Sequence, residues 1–286
     1  MKIALLGTGL MGQALVTHLL SEKQQITVYN RSPEKVSKIA DLGAKVAQTA
    51  QAAIEANDFC ILMLSDADAI NHVISNIATE TFNNKTIIQM GTIAPEESRQ
   101  LAQRITRSGG HYLECPVLGS LPEARTGTLI LMAAGDKETY QTALPLLNLI
   151  GKEPQYIGVT GQGATVKLAM NQLIAGLTSS FALSLALVEK EGIESEQFMK
   201  IVRDSALYAP TFDKKLDRML DRDFTAPNFP TKHLAKDTQL FLNVAKELDL
   251  ETCALEGIDK LLGKTLEQGL ANTDYSALFS GVTKGK

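Results

Sequence analysis

Along the first 160 or so residues the apolar positions fall in short, nearly unbroken runs, each followed by a longer stretch with helical spacing. Lys2–Leu6 reads as a strand and Leu10–Leu20 as a helix entered through glycines. Ile26–Tyr29 is the next strand, after which Ser32-Pro33-Glu34 starts a helix with serine as its cap and proline at its first position. Lys45–Ala47, Phe59–Leu64 and Thr86–Met90 follow as strands, separated by helical stretches near 50–56 and 67–78, and Pro95–Arg107 reads as a further helix. Strands at His111–Cys115 and Leu129–Gly135 and a helix beginning near Asp136 complete this part. Strands that are apolar on both faces and alternate with helices predict a parallel sheet covered on both sides, an α/β, Rossmann-type doubly wound fold.

From Gly161 onward the pattern turns helical almost throughout, with breaks expected at Ala209-Pro210, from Ala226-Pro227 to Phe229-Pro230, and at Gly257, Gly263 and Gly269, and with fraying expected in the final SGVTKGK. Between Ala164 and Glu191 there is no proline and one glycine, Gly176. A helix of that length runs roughly 42 Å. Val166, Leu168, Met170, Leu173, Leu177, Phe181, Leu185 and Val188 spread around every side of it, which predicts burial on all sides. Lys167, Asn171 and Gln172 argue against lipid as the surrounding medium. The expected organisation is a nucleotide-binding domain over 1–161 and an all-helical domain for substrate and oligomerisation over 162–286, joined by this one long helix. So much apolar surface on one helix predicts a homodimer or homotetramer.

Composition narrows the partners. The net charge is −4 and no basic run occurs, so neither nucleic acid nor an anionic membrane is an expected partner. Cys60, Cys115 and Cys253 are odd in number and far apart, as in reduced, cytoplasmic proteins. The opening MKIALL gives way to Gly7-Thr8-Gly9 with no cleavage site, so the start reads as mature cytosolic chain. The four histidines show no metal-ligand spacing, and no metal is expected.

Gly7-Thr8-Gly9-Leu10-Met11-Gly12 fits G-x-G-x-x-G directly after the first strand and at the opening of a helix. The first glycine allows a tight turn, the second a close approach by a pyrophosphate, and the third close packing of helix on strand. Glycines also serve ordinary turns, but this position inside a strand–helix–strand unit favours a dinucleotide. Met63 and Leu64, at the end of the Phe59–Leu64 strand, are counted among its contacts. At the end of the second strand an acidic residue would accept the ribose 2′-hydroxyl of NAD; here stand Asn30-Arg31-Ser32. A guanidinium beside a hydroxyl suits a 2′-phosphate, so NADP (as NADPH) is preferred over NAD, unless Ser32 only caps a helix and Arg31 only meets water. Lys167 lies near the start of the long helix, with Asn171 one turn on and Thr178 two turns further along the same stripe. Burial without compensation favours the neutral amine and suits proton transfer to a developing alkoxide. A lysine reaching out to water from the first turn is the alternative, and spacing alone leaves both open.

The order of motifs resembles that of the β-hydroxyacid dehydrogenase family over essentially the whole chain. The family's G-x-G-x-M-G is present as Gly7, Gly9, Met11 and Gly12. Its D-x-P-V-S-G-G loop followed by A-x-x-G-x-L appears as Glu114-Cys115-Pro116-Val117-Leu118-Gly119-Ser120 and then Ala124 to Leu129. Its G-x-G-x-x-x-K-x-x-x-N matches Gly161, Gly163, Lys167 and Asn171, and its K-D matches Lys236-Asp237. The resemblance implies Lys167 as general acid/base, Asn171 as its partner in holding substrate, Thr92 at the nicotinamide end and against substrate, and Lys236 on the cofactor. It also implies Gly119, Ser120, Phe229 and Asp237 as substrate contacts, with core packing the alternative for Phe229 and a structural role for His233. Phe229-Pro230-Thr231-Lys232-His233 and the Asn30-Arg31-Ser32 turn are similar to the glyoxylate/succinic semialdehyde reductase branch. Two departures stand out: Leu118 and Gly91 occupy places where the family has serines. The resulting expectation is reversible hydride transfer between NADP(H) and a small aldehyde acid or hydroxy acid. Alternatives are a 3-hydroxyisobutyrate-type dehydrogenase, an imine reductase, and an NADPH-binding protein without catalysis.

Overall fold

The structure, a computed structural model, describes residues 1–283. The chain divides into two compact units, the first running from Met1 to Lys167 and the second starting at Leu168. In chain order the first contains β1 (Lys2–Leu6), α1 (Leu10–Ser21), β2 (Gln25–Tyr29), α2 (Ser37–Ala40), β3 (Lys45–Val46), α3 (Ala50–Glu55), β4 (Phe59–Leu62) and α4 (Ala67–Ile74). It continues through β5 (Thr86–Gln89), α5 (Pro95–Arg107), β6 (His111–Glu114), β7 (Val117–Leu118), α6 (Leu121–Thr126), β8 (Ile130–Gly135), α7 (Lys137–Ile150) and β9 (Gln155–Gly158). The unit boundary falls inside α8 (Gln162–Lys190), which is followed by α9 (Ser195–Asp204), α10 (Pro210–Leu220), α11 (Thr231–Glu247), α12 (Cys253–Glu267) and α13 (Leu278–Thr283).

The strands lie in the order β3-β2-β1-β4-β5-β6-β8-β7, with β9 beside β8. Alternation of side chains along β1 sends Ile3 and Leu5 into one core with Leu15, Val28, Ile61 and Leu113, and Ala4 and Leu6 into the other with Ile54, Leu62, Ile87 and Ile105. Both faces are covered, as a doubly wound sheet requires. The strands β1 to β6 pair in parallel. The expectation of an all-parallel sheet fails beyond β6: β8 runs antiparallel to both β6 and β7. Only Cys115 and Pro116 separate β6 from β7, and β8 returns through the short helix α6 to run antiparallel to both.

Several boundaries differ from the expected ones. Ser32-Pro33-Glu34 does not open an α-helix; a 3₁₀ turn over Pro33–Lys35 comes first, and α2 begins at Ser37. The stretch near 67–78 is helical only as far as Ile74. Gly257 and Gly263 do not break the chain, for α12 runs through both, at a cost of about 1 kcal/mol each relative to alanine. Leu278–Thr283 is helical rather than frayed, and Lys284 to Lys286 lie outside the described residues.

The second unit packs Phe181, Leu185, Met199, Phe212, Leu216, Leu234, Leu262 and Phe279 into one core, with Phe181 stacked on Phe212 at 4.6 Å between ring centroids. A buried ion pair pins it: Lys215 Nζ donates to both oxygens of Asp274 at 2.8 and 3.0 Å and sits 4.3 Å from the Tyr275 ring centroid. Burial pushes the Lys215 ammonium below its ordinary range, against the pull of Asp274. Uniform burial of α8 is not seen within the chain. Leu173, Leu177, Leu183 and Leu187 are exposed, whereas Ala175, Phe181, Ala182 and Leu185 are buried.

Candidate active site

The glycine turn between β1 and α1 is built by packing at two of its glycines and by openness at the third. Gly7 adopts φ +102° and donates its N–H to the Tyr29 carbonyl at 3.0 Å. A Cβ there would run into the Met63 carbonyl, and one at Gly12 into the Gly7 carbonyl. At Gly9 a Cβ would meet nothing within 4 Å, so the approach to the start of α1 is open. That helix has no side-chain cap, which leaves its first N–H groups available to an anion. These residues fit the pyrophosphate of a dinucleotide. Leu10 is exposed on the turn, while Met11 and Met63 pack against the sheet core and Leu64 against the opposite core.

The second turn is tied to the first. Asn30 Nδ2 donates to the buried Thr8 hydroxyl at 2.8 Å, and Asn30 Oδ1 accepts from the Ser32 N–H at 2.9 Å. Arg31 is exposed between these bonds. The Asn30 amide thus shapes the turn from inside and leaves the guanidinium free of that task. Gly91 has a steric cause: a Cβ would meet the Leu64 carbonyl, so the family's serine has no room there. Thr92, half-buried, follows it on the turn before α5.

Gly119 takes φ +134°, and a Cβ there would sit 2.7 Å from a methyl of Leu129. Both the N–H and the hydroxyl of Ser120 donate to Glu123 Oε2, at 2.8 and 2.7 Å, closing the first turn of α6. Sequence reasoning placed Ser120 toward substrate; its hydroxyl proton here is directed at Glu123. Leu118 is half-buried in β7.

At the start of α8 lies the feature that sequence reasoning missed. Glu114, at the end of β6 and 1% exposed, accepts from the N–H groups of Gly161, Gly163 and Ala164 at 2.8, 2.7 and 3.3 Å, all through Oε1. Its other oxygen accepts a short hydrogen bond from Ser98, whose Oγ lies 2.8 Å from the Tyr112 hydroxyl. Burial pushes the Glu114 carboxyl above its usual range, against the hydrogen bonds from Ser98 and the three amides. The letter E in the E-C-P-V motif was visible, but nothing in the sequence tied it to a helix 47 residues away. Lys167 follows one turn after Gly163 and is buried, with 9% of its surface exposed.

On the second unit's part of α8, Asn171 is buried and its Nδ2 donates to Asp237 Oδ2 at 2.5 Å. Lys236 Nζ lies 2.7 Å from the other Asp237 oxygen. Phe229 stacks near His233, with 6.3 Å between ring centroids, and meets Tyr275 edge-on at 5.9 Å. Phe229 is therefore part of an aromatic cluster, partly buried against the second unit's core.

A glycine turn of this kind at the end of a parallel strand, beside a sheet wound on both faces, defines a nucleotide-binding α/β protein. Residues 2–161 match the family profile described as the NAD binding domain of 6-phosphogluconate dehydrogenase, and residues 161–281 match that described as NAD-binding of NADP-dependent 3-hydroxyisobutyrate dehydrogenase. The chain is 31% identical over 285 residues to glyoxylate/succinic semialdehyde reductase 1 of Arabidopsis thaliana, covering 99% of this chain and 98% of the relative. It is 29% identical to 2-hydroxy-3-oxopropionate reductase of Escherichia coli, covering 99% and 97%. The fold is shared with the structure of Mycobacterium tuberculosis 3-hydroxyisobutyrate dehydrogenase with L-serine, at TM-score 0.86, 22% identity and 97% coverage of each chain. The chain belongs to the β-hydroxyacid dehydrogenase family and is an NAD(P)-dependent oxidoreductase of that class.

Proposed function

We propose that this protein is an NADPH-dependent reductase of short aldehyde acids, of the glyoxylate or succinic semialdehyde kind, with Lys167 as its general acid. The observation that supports the reading is the burial of Lys167 near the start of α8, with Asn171, four residues on in the sequence, buried and held by Asp237. The nicotinamide of the bound cofactor would supply the hydride. Gly7, Gly9 and Gly12 would seat the pyrophosphate against the open start of α1, and Arg31 with Ser32 would take the 2′-phosphate. Lys167 would hold a proton for the carbonyl oxygen of the substrate and release it as that oxygen gains charge. Asn171 would orient the same oxygen. Thr92, Gly119, Ser120, Phe229 and Asp237 are proposed around the substrate and Lys236 on the cofactor.

The relatives support an aldehyde acid as substrate. Glyoxylate, succinic semialdehyde and 2-hydroxy-3-oxopropionate, named in those relatives, each join an aldehyde to a carboxyl group at different spacings. Arg31 in place of an acid supports NADP over NAD. A panel of aldehyde acids and hydroxy acids, assayed with NADPH, NADH and NADP, tests the reading. Reduction of an aldehyde acid with NADPH at the highest kcat/KM agrees with it. Preference for 3-hydroxyisobutyrate with NADP points to the dehydrogenase reading, and nucleotide binding without turnover points to a binding protein.

We further propose that the protein acts in the cytoplasm as a homodimer or homotetramer. The exposed Leu173, Leu177, Leu183 and Leu187 of α8 support self-association, because so many large apolar side chains on one helix favour burial. A monomer mass in light scattering would contradict it.

A further inference from the structure

We propose that Glu114 is a positioning residue for Lys167: its carboxyl group, held on the sheet by Ser98, fixes the first turn of α8 and so the place from which the lysine side chain reaches out. This rests on the reading of Lys167 as the general acid.

Every helix begins with N–H groups that lack an intrahelical partner, and a local serine, threonine or aspartate commonly satisfies one of them. Glycine stands at the head of α8 instead, and the first amides are satisfied from elsewhere. The N–H of Gln162 donates to the Val159 carbonyl at 3.1 Å, and the amides of Gly161, Gly163 and Ala164 all donate to Glu114 Oε1. The first helical hydrogen bond, from Thr165 to Gly161, follows immediately at 3.0 Å. One side-chain oxygen from a distant strand therefore receives three of the four amides that precede it.

The anchor is rigid because β6 is paired with β5 on one side and β8 on the other. Ser98 on α5 holds the second oxygen and bonds Tyr112, itself on β6. The glycines of the G-x-G motif complete the contact: a Cβ at Gly163 would strike the Met132 carbonyl and lie 3.1 Å from Glu114 Oε1, and one at Gly161 would lie 2.8 Å from the Arg99 guanidinium. A cap on the helix itself would travel with the helix. A cap on the sheet instead ties the helix start to the sheet. Lys167 is one turn, about 6 Å of rise, beyond Gly163, so play at the first turn is passed directly to it. Misplacement of a reacting group by about 1 Å can cost on the order of 100-fold in rate.

The test compares Glu114→Ala, Glu114→Gln, Ser98→Ala and Lys167→Ala. The readouts are kcat and KM with NADPH and either glyoxylate or succinic semialdehyde, whichever turns over faster. Assays run well below each variant's Tm, and the NADPH Kd is followed by fluorescence. Glu114→Ala should lower kcat roughly 10- to 100-fold with the NADPH Kd unchanged within about threefold. Glu114→Gln keeps an acceptor oxygen in the Oε1 position and should restore most of kcat, and Ser98→Ala should fall between. A folded Glu114→Ala enzyme with wild-type kcat overturns the proposal, as does a Gln variant as damaged as the Ala variant. If Glu114→Ala fails to fold, Ser98→Ala decides, and an unchanged kcat there overturns it. An active Lys167→Ala enzyme removes the lysine reading and this one with it. A disabled Lys167→Ala beside an intact Glu114→Ala removes this one alone.

Discussion

Asn171 and Asp237, 66 residues apart in the chain, meet through a 2.5 Å hydrogen bond from the amide nitrogen to the carboxylate, while Lys236 lies 2.7 Å from the other carboxylate oxygen. A carboxylate can only accept, so the NH₂ end of Asn171 must face it and the carbonyl end must point away. The K-D motif thereby sets the orientation of the amide one turn after Lys167.

Asp237→Ala should cost about 1–3 kcal/mol of stability, because the buried Asn171 amide loses its acceptor. It should also lower kcat more than it raises KM for NADPH. Asp237→Asn, which retains an acceptor oxygen, should be milder on both counts. Urea denaturation and steady-state kinetics on the two variants check this.

Arg31→Ala should weaken NADPH binding about 10- to 100-fold, the worth of a charge-assisted hydrogen bond, and leave NADH nearly unaffected. The Asn30 bonds to Thr8 and Ser32 do not involve the guanidinium and should keep the turn in place. Kd values for both nucleotides are the measurement. An unchanged NADPH to NADH ratio would speak against a 2′-phosphate role.

Restoring the family serine at position 91 should do harm rather than good. Its Cβ would collide with the Leu64 carbonyl, and overpacking of this kind costs about 1–3 kcal/mol. The urea midpoint of Gly91→Ser should fall relative to wild type. A rise would show that the turn after β5 yields easily.

Glu114 gives stability an unusual pH term. Its folded carboxyl is raised by burial above the unfolded value of 4.5, so between those two values the folded state binds the proton more tightly than the unfolded state. Its contribution is present at the acid end of that window and is lost as pH rises through the folded value. The Tm of wild type minus that of Glu114→Gln should therefore grow more positive as pH is lowered through the folded value toward 4.5. The subtraction cancels the general loss of stability in acid. A gap that is flat or of opposite slope would refute the assignment.

Much of the nucleotide-binding half could be read from local pattern. Proline at the first position and a steady apolar stripe place α5 at Pro95–Arg107, and the Gly7–Gly12 spacing announces a strand-to-helix turn. The antiparallel return was not legible, because Val117–Leu118 is only two residues long and the Gln155–Gly158 strand has no apolar run. The role of Glu114 was hidden for a different reason: it depends on a contact across 47 residues, whereas capping signals in sequence are local. Gly257 and Gly263 misled in the other direction, since tertiary packing outweighs the small propensity cost of a glycine inside α12.

The most direct measurement is the kcat of Lys167→Ala for NADPH-dependent reduction of glyoxylate or succinic semialdehyde, with NADPH Kd measured on the same preparation. Loss of kcat by roughly 100- to 10,000-fold with an unchanged Kd is the predicted result. A kcat near that of wild type would contradict the central claim.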